Sequence, residues 1–330
     1  MGPSWVDPTT GEIINASVLV YNNIVKLINN WRFTHTAQVD PRVRAKKMPQ
    51  DVMDESITYV IAHEIGHTLG LMHNMGASSS YPVDSLRSAS FTQKYGTTPS
   101  IMDYARNNYI AQPGDKGLRL TPPNIGVYDF YAIKIGYQPI PEAKTAEEEN
   151  AIVRGWIAEK AGDPMFRYGK QQLQAVYDPS ALMEDLGDDA VKAGEYGIKN
   201  LKYILEHVNE WMDKEDPNFD YRINIYGEIV NQCFGYLYNA LMNIGGFYLN
   251  EHEVNDPRPS FAVVPKEKQK QSLRFLIKNL QQLEWLDNPQ VTENLRVSSH
   301  RSERLVKNFA AALLVNTKKI SLGEYRDPNS

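Results

Sequence analysis

The sequence predicts an α+β fold: a mixed domain over residues 1–140, followed by a mainly α-helical region over 141–330. Three observations carry this. Two β-prone runs flank a turn near the start. Residues 52–70 repeat apolar side chains at helical intervals while holding a cluster of histidines. Beyond residue 146 the apolar spacing is helical almost throughout, and no internal repeat is found.

Taken in order, Trp5-Val6, the turn residues Asp7-Pro8-Thr9-Thr10-Gly11 and the run 12–20 read as a hairpin. Residues 21–33 place Ile24, Leu27, Ile28 and Trp31 at helical spacing, and residues 41–49 are basic and loop-like. Asp51 is the expected N-cap of the next helix, with Asp54 and Glu55 in its first turn. Ile57, Ile61, Ile65, Leu69 and Met72 follow at helical intervals, and Gly70 is a stop at which left-handed backbone is easily reached. The Ser, Thr, Gly and Pro content of residues 78–100 predicts a long surface loop. A helix over 125–135 should close at Gly136. Further helices are expected near 146–161, 189–212, 226–248, 266–286 and 302–316, with a short strand somewhere in 165–177.

Composition bounds the partners. Hydrophobic residues make up 42% and charged residues 23%, so the chain can bury a core and is neither disordered nor fibrous. A formal net charge of −5 gives no basic field for nucleic acid. No apolar run is long enough for a membrane span; the most apolar stretch, 235–249, is broken by Asn239, Asn243 and Gly245-Gly246. The single cysteine, Cys233, excludes an internal disulfide and a Cys-rich zinc module. The start shows no signal peptide, and oligomeric state is left open.

The chemistry concentrates in eleven residues: His63-Glu64-Ile65-Gly66-His67-Thr68-Leu69-Gly70-Leu71-Met72-His73. At 3.6 residues per turn, His63 and His67 lie one above the other on a helix face and can reach one metal ion. Glu64 points about 100° away around the helix, beside the metal rather than on it. Gly70 lets the chain turn, so that His73 can return as a third ligand. Three histidines with an open fourth position suit a catalytic Zn²⁺ rather than a structural one. A bare His-Glu-x-x-His arises by chance in roughly one chain in a hundred of this length, and Gly70 with His73 lowers that by roughly another three orders of magnitude.

This motif resembles the extended zinc signature of the metzincin metalloproteases. Downstream, Ser100-Ile101-Met102-Asp103-Tyr104 resembles their Met-turn, in which Met102 would form an apolar floor beneath the imidazoles. Tyr104 stands where astacin-like and serralysin-like members carry a tyrosine that binds zinc or swings to stabilise an oxyanion. The residue after the third histidine is Asn74, unlike the Ser, Asp, Glu or Pro of the best-known groups. The runs through Asn74-Met75-Gly76-Ala77-Ser78 and Asp185-Leu186-Gly187-Asp188-Asp189-Ala190-Val191-Lys192 are similar to the large multidomain bacterial zinc-dependent metalloproteases called Met-zincins.

The resemblance implies a zincin-like catalytic domain, with more strands ahead of the zinc helix than about 50 residues allow, so N-terminal truncation is expected. It implies one catalytic zinc, a protein or peptide substrate held against an edge strand within 13–20, and an extracytoplasmic location. The expected reaction is peptide-bond hydrolysis by a zinc-bound water with Glu64 as general base. The alternative is an inactive or truncated metzincin scaffold that binds a protein or glycan. Asp185, Asp188 and Asp189 could bind Ca²⁺, but an N-cap with favourable first-turn charge is the preferred reading. His35, His207, His252 and His300 are scattered, and no role is assigned to them.

Overall fold

A computed structural model describes residues 4–251, 258–295 and 301–326. It is an α+β protein. The N-terminal hairpin is present: β1 (Ser4–Val6) pairs antiparallel with β2 (Ile13–Ala16), Ser4 opposite Ala16 and Val6 opposite Ile13. Its turn is local chemistry. Asp7 accepts hydrogen bonds from the Thr9 amide and hydroxyl, and Gly11 takes φ +78°. The second strand stops at Ala16, short of the expected 20.

Helix α1 (Ile24–Thr36) leads through a basic loop to α2 (Gln50–Thr68), the histidine helix. The expected Asp51 N-cap is corrected: the cap lies two residues earlier at Pro49, and Asp51, in the first turn, pairs with Arg42 at 2.7 Å. Gly70 adopts φ +82°, as its place after the helix requires.

Residues 78–100 overturn the surface-loop expectation. They form two short 3₁₀ turns, Ser78–Ser80 and Val83–Arg87, and helix α3 (Ala89–Tyr95), with Tyr81, Val83 and Leu86 buried. Composition misleads here because polar side chains take over the pairing of buried groups. The Ser78 amide donates to Asp103, the Val83 amide to Asp188, and the Thr92 hydroxyl to the Ser88 carbonyl.

Helix α4 (Val127–Tyr137) runs past Gly136, and α5 (Ala146–Glu159) is capped by Thr145. The strand expected in 165–177 is a 3₁₀ turn, Pro164–Phe166, and an isolated bridge between Lys170 and Asn74. Helix α6 (Ala190–Met212) starts at Asp189, whose carboxylate accepts from the Val191 and Lys192 amides. Helix α7 (Asp220–Met242) ends six residues before the expected 248, because Phe247 begins β3 (Phe247–Leu249), antiparallel to β4 (Phe261–Val263). Helices α8 (Lys266–Leu280), α9 (Pro289–Thr292) and α10 (Arg301–Arg326) complete the chain, with a 3₁₀ turn, Leu283–Asp287, where a continuous helix to 286 was expected.

One apolar core joins both parts of the chain. It includes Phe33 of α1 and Val52 of α2 together with Leu201, Ile229, Phe275 and Phe309 from the later helices. Cys233 and the tyrosines Tyr226 and Tyr236 of α7 are packed inside it. Among the described residues, no helix is long and apolar enough to cross a membrane.

Candidate metal centre

The three histidines of the motif come together. One ring nitrogen from each of His63, His67 and His73 lies within 4.8 Å of the others. Ring centroids are 4.8 Å apart for His63–His67, 5.2 Å for His63–His73 and 4.6 Å for His67–His73. Helix α2 supplies the first two from successive turns, and the left-handed Gly70 brings the third back.

Each ring is fixed by its other nitrogen. His63 Nδ1 lies 2.6 Å from the Ile101 carbonyl, His67 Nδ1 2.8 Å from the Leu71 carbonyl, and His73 Nδ1 2.8 Å from Gln171 Oε1. An oxygen of this type only accepts, so all three Nδ1 atoms carry the proton and all three Nε2 atoms present lone pairs. Those lone pairs face one another: His67 Nε2 and His73 Nε2 are 3.1 Å apart, and buried His63 Nε2 has no hydrogen-bond partner among the described residues. Converging unprotonated nitrogens repel unless a cation sits between them, so the donor set fits Zn²⁺. Burial pushes the His63 imidazole down to about 4, overriding its bond to Ile101. Burial also lowers His73, against its hydrogen bond to Gln171. Both rings are held in the neutral, ligating form.

The surroundings have identifiable causes. Met102 is buried against α2, and a Cβ on Gly66 would run into its sulfur, so glycine lets the two come this close without shifting the methionine. The Ser100 hydroxyl donates to Asp129 and accepts from the Met102 amide, which holds the turn. Glu64 is half-buried one position beyond His63. The Tyr104 ring lies 4.6 Å from His73 and 5.4 Å from His63. Its hydroxyl is raised above the usual range by burial, against the nearby charge of Arg106.

One residue that orients a histidine was not found by sequence reasoning. Gln171 lies 98 positions from the histidine it orients, and no local pattern marks it. It is delivered by Asn74, whose side chain donates to the Arg167 carbonyl and accepts from the Gly169 amide, while the Asn74 amide donates to the Met102 carbonyl. A Cβ on Gly169 would lie 2.5 Å from Gly76 backbone, so these two glycines allow the strands of chain to touch. Asn74, read in the sequence as a subfamily marker, is therefore the tie between the ligand loop and the Gln171 segment.

The other acidic and histidine residues are placed elsewhere. Asp185 accepts from the Ser78 hydroxyl, Asp188 from the Val83 amide, and Asp189 caps α6. Among the described residues the three histidines form the one group suited to a metal. His35 is buried beside Tyr109, and the His207 ring lies against those of Tyr203 and Trp211. His252 and His300 lie outside the described residues.

Three imidazoles with converging Nε2 atoms, beside a glutamate on the same helix, define a metallopeptidase-like scaffold with a donor set suited to zinc. The sequence pattern of the Met-zincin family matches residues 45–322, and the chain belongs to that family. Comparison with curated proteins and with solved structures yields no match.

Proposed function

We propose that the protein is a zinc-dependent endopeptidase. The observation that carries this reading is the set of three Nδ1-anchored imidazoles whose Nε2 atoms converge beside Glu64. A zinc ion held there would polarise the scissile carbonyl and bring the pKa of a water toward about 7. Glu64 takes the proton from the attacking water and passes it to the leaving amine nitrogen. Tyr104 donates its hydroxyl proton in a hydrogen bond to the developing oxyanion, an effect worth roughly 3 kcal/mol in comparable sites. Met102, in the role of a Met-turn, keeps the floor under the rings apolar and free of competing ligands.

The substrate is a peptide in extended form, paired with the edge of the N-terminal hairpin. Two facts support this placement. Among the described residues β2 pairs only with β1, and the Ile13 side chain reaches within 3.4 Å of where a Cβ on Gly70 would stand. The hairpin thus lies against the turn that delivers the third histidine. An extracytoplasmic location accords with the family.

The test is Glu64→Ala in zinc-loaded protein, assayed by casein or peptide-library digestion. Zinc content should stay at one ion per chain while hydrolysis falls by about 10²–10⁴. Cleavage at the parent's rate would refute the mechanism. A parent protein that binds zinc and a partner but cleaves nothing would instead favour a binding scaffold.

A further inference from the structure

Arg106 and Glu184 both have left-handed backbone, with φ of +51° and +61°. Non-glycine residues are held in this region only where the surroundings over-determine it, and such residues cluster at functional sites. These two are also partners. Arg106 Nε donates to Glu184 Oε1 at 3.2 Å, and the Glu184 amide donates to the Tyr104 carbonyl at 3.2 Å. The Arg106 guanidinium carbon lies 4.0 Å from the Trp31 ring centroid and 4.3 Å from that of Tyr104. A planar cation is therefore wedged between an indole and a phenol, with a carboxylate fixing it in place. The neighbours of Tyr104 on the metal side are His73 and His63.

We propose that Arg106, gripped by Glu184 and backed by Trp31, is a positioning residue that holds the Tyr104 ring against the imidazole cluster. The strained backbone at both members is what places a guanidinium plane and a carboxylate at this spot. Glu184 comes from far beyond the motif, as Gln171 does, so the later part of the chain completes the site. The catalytic part of this inference rests on reading Tyr104 as the oxyanion donor; the ring placement does not.

Arg106→Gly provides the test, because glycine accepts the left-handed backbone without strain while removing the guanidinium. In metal-free protein labelled with ¹³C-tyrosine, the Tyr104 ring signals are identified by their loss in Tyr104→Phe. In folded Arg106→Gly those signals should move toward unstructured values. With zinc, kcat should fall about tenfold with KM within about twofold, and the same substitution in the Tyr104→Phe background should add less than about twofold. Unmoved Tyr104 signals in folded Arg106→Gly would overturn the proposal. A shifted ring in a protein whose parent cleaves no peptide would leave the placement standing and sink the protease reading alone. If Arg106→Gly fails to fold, Glu184→Gly reads the same ring signals with the same two outcomes.

Discussion

Helices α2 and α6 are of similar length, 19 and 23 residues, and are held in opposite ways. Helix α6 buries ten residues along one stripe, from Ala193 and Gly194 through Leu201 and Leu205 to Met212. Its contacts are apolar and close: a Cβ on Gly197 would lie 2.5 Å from the Tyr236 ring. Helix α2 buries only Val52, Ser56, His63 and Gly66. It is fixed by polar tethers instead. Arg42 holds Asp51 at its start, the Tyr137 hydroxyl donates to the Leu69 carbonyl at its end, and each imidazole is tied through Nδ1. A helix that packs can bury its whole stripe. A helix that presents ligands must leave that face partly open, so directional bonds replace buried area.

The comparison can be broken at several points. The largest effect is expected at the most distant tether. Gln171→Ala should weaken zinc binding about 10–100-fold, read by competition with a chromophoric chelator, with the far-UV spectrum unchanged. Undiminished affinity would mean that the His73 tether is dispensable.

On the packing side, Gly197→Ala should cost about 1–3 kcal/mol in urea unfolding, because Tyr236 is itself stacked on Tyr109 and has little room to give. Zinc stoichiometry should not change. Loss of zinc without loss of stability would reverse the roles assigned to the two helices.

A pH effect follows from buried His35, which desolvation pushes down from 6.5 to about 4. The unfolded chain then binds more protons than the folded one between those values. Stability from this group is full above about pH 6.5, declines as pH falls toward 4, and levels off below. Asp103, raised by burial, contributes the opposite slope, so the reading is the difference between the parent and His35→Gln. A difference that is flat from pH 7 to pH 4 would contradict it. The smallest effect is a gain: Gly155→Ala in exposed mid-α5, where a Cβ meets nothing within 4 Å, should add about 0.5–1 kcal/mol to unfolding.

The legible parts of the molecule were those set by neighbours in sequence. The hairpin, α2 with its histidines, Gly70 and the Asp189 cap depend on turns, caps and spacing between near neighbours in the chain. The misread parts depend on distant partners. Residues 78–100 look like a loop because their polar content is visible, while the distant acceptors Asp103 and Asp188 are not. The helix expected over 226–248 runs six residues earlier, Asp220–Met242, because apolar spacing cannot see that Phe247 and Tyr248 pair with β4.

Sequence alone determined the three-histidine cluster. Helical periodicity and one glycine bring His63, His67 and His73 toward a common point whatever the rest of the chain does, and they put Glu64 beside it. Tertiary structure decided which nitrogen each ring presents, what packs against Gly66 and what leans on Tyr104. Those depend on Ile101, Met102, Arg106, Gln171 and Glu184, which reach the site only when chain segments far apart in sequence come into contact. Hydrogen bonds and ring contacts act over a few ångströms, and nothing in the local pattern records them.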